Sequence, residues 1–468
     1  MKKIGLCGWL VLTLLLALMP LRVVAAEELV TADGLRYVVA DEQVTIVGGT
    51  DALPADVVIP ATIDGYPVVA IGDKAFSVDE FSWHSRLTSV VIPDSVKTIG
   101  TLAFYKCRNI TSVTLGNGVT VIGGQAFGSC SSLSAITIPS SVTTIEAWAF
   151  SRCSALTSVV VPDTVTTMKN GVFGNCTGLT SATLPSHLTA IPQQTFQGCT
   201  ALSSFTFPKR VTEIGYAAFQ ACSSLSAITI PDGVINLGQQ AFEGCSALTT
   251  MVIPNSVTIV NTLVFKNCTG LTAVTLPKNL TEIASFMFKG CTALTSITLP
   301  NKVTAIGIQA FMDCSSLRTI TIPATVTDIY DDAFTGCTAL SDVYYGGSQS
   351  DAAEIDVDVA NLPLEEATWH YGKADVTTTT ATTTTTETES TTATIQSTTV
   401  TTTTTVAPAT ETTVTTRPAE EAGVSADSET MGEDTPPANW TWVWIAIAAA
   451  VIAAAVAVWV LLNKKSAQ

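Results

Sequence analysis

The sequence predicts a solenoid, in which short parallel strands stack coil on coil instead of closing around one globular core. The first observation behind this is an interval. Eleven cysteines (Cys107, Cys130, Cys153, Cys176, Cys199, Cys222, Cys245, Cys268, Cys291, Cys314 and Cys337) recur every 23 residues without a slip. A fixed period of that length marks one structural unit copied and stacked. The second is the pattern inside each period, where apolar residues fall at the same places in every copy. Solenoids expose long regular surfaces, so the function to look for is binding before catalysis.

One period shows how each segment is read. In Cys130 to Phe150, Leu133, Ile136 and Ile138 are apolar, and Thr137 separates the last two. That alternation is a strand signal with Ile136 and Ile138 on one face and Thr137 on the other. Pro139 ends the strand because it has no N–H for a ladder. Val142 and Ile145 then face inward from a second short extended segment on the opposite side. Ala149 and Phe150 close the turn before the next cysteine. A lone repeat cannot bury its own apolar groups, so stability must come from stacking, with the ends capped.

Before the repeats, residues 1–26 read as a secretory signal. Lys2 and Lys3 precede an apolar run from Leu10 to Leu18, and Val24-Ala25-Ala26 offers small residues for cleavage. Residues 27–76 form the N-terminal cap and first coil. Tyr37-Val38-Val39 and Val44-Thr45-Ile46-Val47 flank Asp41-Glu42 as a hairpin, and Val58-Ile59-Pro60 with Ala75-Phe76 makes a stretched early coil. Residues 77–343 carry the 23-residue repeats, about twelve coils in all with the first. At the far end, 344–372, Tyr344-Tyr345-Gly346-Gly347 is expected to leave the pattern, and Ala367 to Tyr371 to supply a covering strand.

Beyond the cap the composition changes. Residues 377–416 contain 25 threonines, too little apolar surface to offset ordering entropy, so 373–439 reads as a disordered stalk and spacer. Residues 440–462 then read as a transmembrane helix. Trp442 to Leu462 is an uncharged run of 21 residues, with Trp440, Trp442 and Trp444 for one interface and Lys464-Lys465 for the other. The tail 463–468 would be cytoplasmic. The expected location is the cell membrane, single-pass, with the bulk outside.

The repeat also resembles a known family. Cys291 to Gly307 reads Cys-Thr-Ala-Leu-Thr-Ser-Ile-Thr-Leu-Pro-Asn-Lys-Val-Thr-Ala-Ile-Gly, which is similar to the 23-residue bacterial leucine-rich repeats of the BspA-like type. Ile63-Asp64-Gly65-Tyr66-Pro67-Val68 and Tyr344-Tyr345-Gly346 look like the family's opening and closing segments. The resemblance covers about residues 30–372. It implies a right-handed leucine-rich-repeat solenoid and, from some members, adhesion to host or neighbouring-cell proteins, with no catalytic residues to carry over. The chain departs from the pattern at Gly116, which replaces the strand-ending Pro, and in an enlarged loop after Phe76.

Charge narrows the partners. Only 13% of residues are charged and the net charge is −17, which argues against nucleic acid or an anionic membrane surface. The cysteine ladder offers no tetrahedral site, and with only three histidines in the chain no metal and no cofactor is expected. Adjacent ladder cysteines should lie about one strand spacing apart, ~4.8 Å, with parallel Cβ vectors that hold their Cβ atoms too far apart for a disulfide. Buried packing thiols are the reading. His84, His187 and His370 are many coils apart, so they form no Ser-His-Asp constellation, and the chain is not expected to be an enzyme.

Two sets of residues are candidates for binding. Outward threonines form columns on the strand face. One follows each repeat's leucine (Thr88, Thr111, Thr157, Thr180, Thr249, Thr272, Thr295). The second lies three residues on and includes Thr114, Thr137, Thr183, Thr206 and Thr229. β-Propensity and solubility explain such columns without a ligand; a polar platform for a glycan or extended peptide, or for ordered water or ice, would use them. The other set is the insertion Ser77 to Ser85, which presents Phe81, Trp83 and His84 where other coils carry small polar residues. Exposed aromatics are enriched at binding hot spots, although these rings could equally cover the first coil. Trp148, Tyr216 and Phe286 form a scattered second surface. The expected role is recognition or adhesion toward an extracellular protein or polysaccharide, with a structural spacer or coat as the alternative.

Overall fold

The computed structural model describes residues 27–78 and 86–372. Most repeats contribute a short strand to each of two faces, and neighbouring strands pair in parallel. The segment 136–138, expected as a strand, forms none, and on its face the pairing is interrupted between several coils. On the face of the expected second segment, two-residue strands such as Thr98–Ile99, Val121–Ile122 and Thr144–Ile145 align residue for residue at the 23-residue interval. On the other face run strands such as Ser89–Val91, Ser112–Thr114 and Ser158–Val160. The solenoid has about 14 turns, two more than the sequence reading gives, because the end segments are turns themselves.

At the N-terminal end, Leu35–Ala40 and Gln43–Gly49 form the expected antiparallel hairpin. Asp41 and Glu42 both take the left-handed backbone (φ 51° and 57°), the conformation a two-residue turn needs to match strand twist. The second hairpin strand pairs in parallel with Tyr66–Ile71 and so serves as the first rung of one sheet. At the other end, Tyr344 and Tyr345 stay in register: Asp342–Tyr345 pairs with Thr319–Ile322, and Thr368–Tyr371 pairs in parallel with it. The pattern breaks only after Tyr345. Asn361, fully buried, then stands in for a missing coil, accepting the Phe334 N–H at 3.0 Å and donating to Tyr330 O at 3.1 Å.

The interior is a set of columns. Twelve phenylalanines from Phe76 to Phe334 stack with centroids 5.1–6.0 Å apart, each ring offset on the next in a favourable arrangement. Beside them run the eleven cysteines, all buried and none in a disulfide. Each thiol points at a backbone carbonyl of the preceding coil's phenylalanine, for example Cys222 Sγ to Phe196 O at 3.1 Å. The packing reading of the ladder is what the structure shows.

The turn between the faces explains the spacing of Phe and Cys. The residue before each Ala–Phe or equivalent pair, and the one before each cysteine, are left-handed: Gln125 and Ser129 in one coil, Gln240 and Gly244 in another. Alternate N–H groups along this turn donate to the next coil, as from Gln125 to Ala147 O, Phe127 to Ala149 O and Ser129 to Ser151 O, at 2.7–2.9 Å. Non-glycine residues rarely hold this backbone. Here the inter-coil bonds of a closed ladder hold it. Gly116 also has a local reason, since a Cβ there would meet Pro93 backbone atoms at 2.4 Å: that coil sits against its neighbour with no room for a side chain.

Candidate functional site

The site is built on the outward face of the strands that begin one residue or so past each repeat's leucine. Alternation places every second side chain inward. Val113, Val159 and Ile297 are buried, while their neighbours Ser112 and Thr114, Ser158 and Val160, Ser296 and Thr298 point out. Parallel register stacks like on like. Val160 stands beside Thr183, Val252 beside Thr275, and Thr298 beside Thr321.

The two threonine columns differ in one respect that decides their roles. In the first, several hydroxyls are committed to the fold: Thr111 donates to Thr88 O at 3.2 Å, Thr180 to Thr157 O at 2.9 Å and Thr272 to Thr249 O at 2.9 Å. Such bonds help close one coil on the next, and the column is structural there. In the second, Thr114, Thr137, Thr183, Thr206 and Thr229 are all exposed, and among the described residues none of their hydroxyls has a protein partner. These five candidates do share one outward column. It is not a pure hydroxyl row, because Val91, Val160 and Val252 interrupt it, the last two 64% exposed.

The column ends differently from its middle. Tyr344 follows Thr321, and His370 follows Tyr344, their rings stacked at 4.7 Å. His370 Nε2 also meets Asp342 Oδ1 at 2.8 Å. A hydrogen bond from Ser341, and second the one with His370, hold the Asp342 carboxyl below its ordinary value. The sequence reading assigned these residues to the cap and so passed over this aromatic end; the 23-residue interval from Thr321 to Tyr344 was the available signal. At the opposite end Asp56 accepts from Thr88 (2.7 Å) and Ser89 (2.6 Å), which hold it ionised, Ser89 more than Thr88.

Phe81, Trp83 and His84 lie outside the described residues, as do the segments 1–26 and 373–468 that carry the expected signal, stalk and membrane helix. Among the described residues no helix is long and apolar enough to cross a membrane, and no group of three or more metal-ligating side chains converges. His187 sits in a mid-solenoid turn and His370 in the last coil, with no shared site. The scattered aromatics do not form a surface. The Trp148 ring lies on the next coil, where a Cβ on Gly171 would meet it at 2.4 Å and one on Gly174 at 2.6 Å. Tyr216 is exposed, and Phe286 is half-buried with the Lys289 ammonium 5.8 Å from its ring.

Among the described residues at least two shallow grooves break the flatness of the face. One, about 680 Å³, runs over Ser181–Thr183 and Ser204–Phe205 and is rimmed by Lys209 and Arg210. The other, about 560 Å³, includes Thr229, Thr250, Val252 and Thr275, with Asp232 and Lys278 at its rim.

This architecture is a parallel leucine-rich-repeat solenoid, a class that serves as an interaction scaffold, and no catalytic family is indicated. The chain belongs to the family described as the BspA type leucine-rich repeat region, whose pattern matches in six copies over residues 70–203, 169–277 and 240–353. Among solved structures it is similar to a leucine-rich cell surface protein of Faecalibacterium prausnitzii, with 33% identity and a TM-score of 0.51 over 71% of this chain and 98% of that one. A leucine-rich repeat protein of Bacteroides ovatus is 25% identical, with a TM-score of 0.54 over 73% of this chain and 99% of that one. A search of curated proteins finds no match.

Proposed function

We propose that this protein is a non-catalytic recognition or adhesion protein of the cell surface, binding an extracellular protein or polysaccharide through its outward strand face. The observation that carries this is the difference between the two threonine columns. Coil stacking accounts for first-column hydroxyls such as those of Thr111, Thr180 and Thr272 but for none of the second column's five, which face solvent along a nearly charge-free surface. Such a surface can exchange water for ligand hydroxyls or amides without removing a charge from solvent. The cell-surface relative from F. prausnitzii supports the location. In this reading the signal at 1–26, the Thr-rich stalk and the 440–462 helix hold the solenoid outside, with the C-terminus inside.

The second reading is a spacer or coat without a specific ligand. It draws on the continuity of the Phe and Cys columns from end to end, which suits a rod that holds distance. A binding screen of the full chain, purified in mild detergent, against arrayed glycans and extracellular proteins separates the two. A saturable partner lost on Thr183→Glu with Thr206→Glu supports recognition through the face. Loss on Phe81→Ala with Trp83→Ala instead, at unchanged melting temperature, moves the site to the insertion. A blank on both arrays supports the spacer.

A further inference from the structure

We infer that the groove over Ser181–Thr183 and Ser204–Phe205 is a subsite for a carboxylated sugar. The inference rests on the recognition reading above and names a ligand class for it.

The groove lies at a break in the sheet. Ser158–Val160 pairs with Ser181–Thr183, and Ser204–Phe205 with Ala227–Ile228, but the strand of 181–183 does not pair with that of 204–205. In some coils a backbone bond also follows the strand, from Val161 N–H to Thr183 O, Ile253 N–H to Thr275 O and Leu299 N–H to Thr321 O, each 2.9 Å. In others, such as Ile230 with Val252 and Leu276 with Thr298, none does. Among the described residues no such bond joins Leu184 N–H to Thr206 O, and both residues line the groove. The Leu184 N–H and the Thr206 carbonyl are thus left for a ligand or water.

Side chains of unequal size meet at this break. Where neighbouring coils place Val159, Phe205 or Ile228 inward, this one has Ala182. The next coil compensates from inside. Phe205 and Phe207 pack edge-on at 5.0 Å and lean on Phe219 at 5.1 and 5.6 Å.

The lining selects the ligand. Thr183, Ser204 and Thr206 supply hydroxyls with no protein partner among the described residues. Lys209 and Arg210 are exposed, and neither forms an ion pair among the described residues, although the chain's net charge is −17. No carboxylate lines the groove. Asp163 comes to the rim only through Ser186, whose N–H (2.7 Å) and hydroxyl (3.1 Å) hold it, and Asp232 lies one coil beyond Lys209. Two cations beside a wall of short hydroxyls match a sugar that carries a carboxylate. The volume falls within the range of small-ligand sites, about 300–1,000 Å³. An acidic peptide fits less well, because an extended peptide binds by adding to a free sheet edge, and here the strands are flanked by coils on both sides.

The test is a titration of the full chain, in detergent, with a panel of uronate- and sialate-containing oligosaccharides, each paired with its carboxyl-reduced counterpart. At least one acidic member should bind saturably, with affinity falling at least about tenfold on carboxyl reduction and by a similar factor in Lys209→Gln with Arg210→Gln. Lys278→Gln at the other groove should leave binding unchanged, and all variants should melt like the parent. A panel that does not bind, equal binding of the reduced sugars, or indifference to the Lys209 and Arg210 changes would overturn the subsite. Capture of a polyglutamate peptide in its place, dependent on the same two residues, would also overturn it by assigning the groove to peptide. If the subsite fails but a neutral glycan or a protein still binds in a Thr206-dependent way, only this inference is lost; a blank throughout removes the recognition reading as well.

Discussion

Raising the pH should unfold the solenoid over a narrow range, because the cysteine column is a row of acids kept neutral by burial. Cys130, Cys176, Cys222 and Cys268 are pushed up to about 12 by burial. Cys107, Cys153, Cys199, Cys245 and Cys291 are also raised by burial. Cys314 is raised first by its hydrogen bond with Cys337 and then by burial. The folded chain therefore keeps protons that the unfolded chain releases. The stabilisation is complete below the unfolded thiol value, about 8.5, and is lost as pH rises from there toward the folded values. Above about pH 9.5 each thiol that must ionise on unfolding removes about 1.4 kcal/mol per pH unit. Ten acting together would remove about 14 kcal/mol per unit, the whole stability of an ordinary domain.

The assay is urea unfolding followed by far-UV circular dichroism at about pH 8.5, 9.5 and 10.5, with reductant present. Cys222→Ala should lower stability by about 1 kcal/mol at neutral pH through lost packing. It should also flatten the alkaline slope by about 1.4 kcal/mol per unit, so that the two curves converge as pH rises. A parent curve that changes by less than about 2 kcal/mol between pH 8.5 and 10.5 would refute the reasoning. It would mean that the thiols are already ionised, accessible or paired in the folded chain.

Three further outcomes follow from the packing. Phe219→Ala empties a site stacked at 5.5 Å against both Phe196 and Phe242; it should cost about 3–5 kcal/mol by chemical denaturation, and Phe219→Leu clearly less. Gly171→Ala meets the Trp148 ring at 2.4 Å from a left-handed backbone (φ +67°); it should lower the melting temperature by several degrees, with partial recovery when combined with Trp148→Ala. Thr180→Val removes the bond to Thr157 O and should cost about 1 kcal/mol, whereas Thr206→Val, with no such bond to lose, should leave the unfolding curve in place and act on ligand binding alone.

The 23-residue interval was enough to establish the fold, because each coil meets a copy of itself and the same inward pattern is satisfied at every step. Val142 and Ile145, named inward from the pattern, are fully buried, and the hairpin around Asp41-Glu42 and the covering strand at Ala367 to Tyr371 were legible from alternation and turn residues. The candidate column from Thr114 to Thr229 was legible too, since parallel stacking turns equal spacing in sequence into adjacency in space. Its chemistry was not. Thr180 and Thr183 look equivalent in the sequence, and only the position of the Thr157 carbonyl decides that one hydroxyl is committed and the other is not. The break in pairing between 181–183 and 204–205 likewise depends on how two successive coils sit against each other. Period and polarity are properties of each residue and were open to reading along the chain. Hydrogen-bond partners and local splay depend on distances between coils, so they emerged only when the coils were stacked.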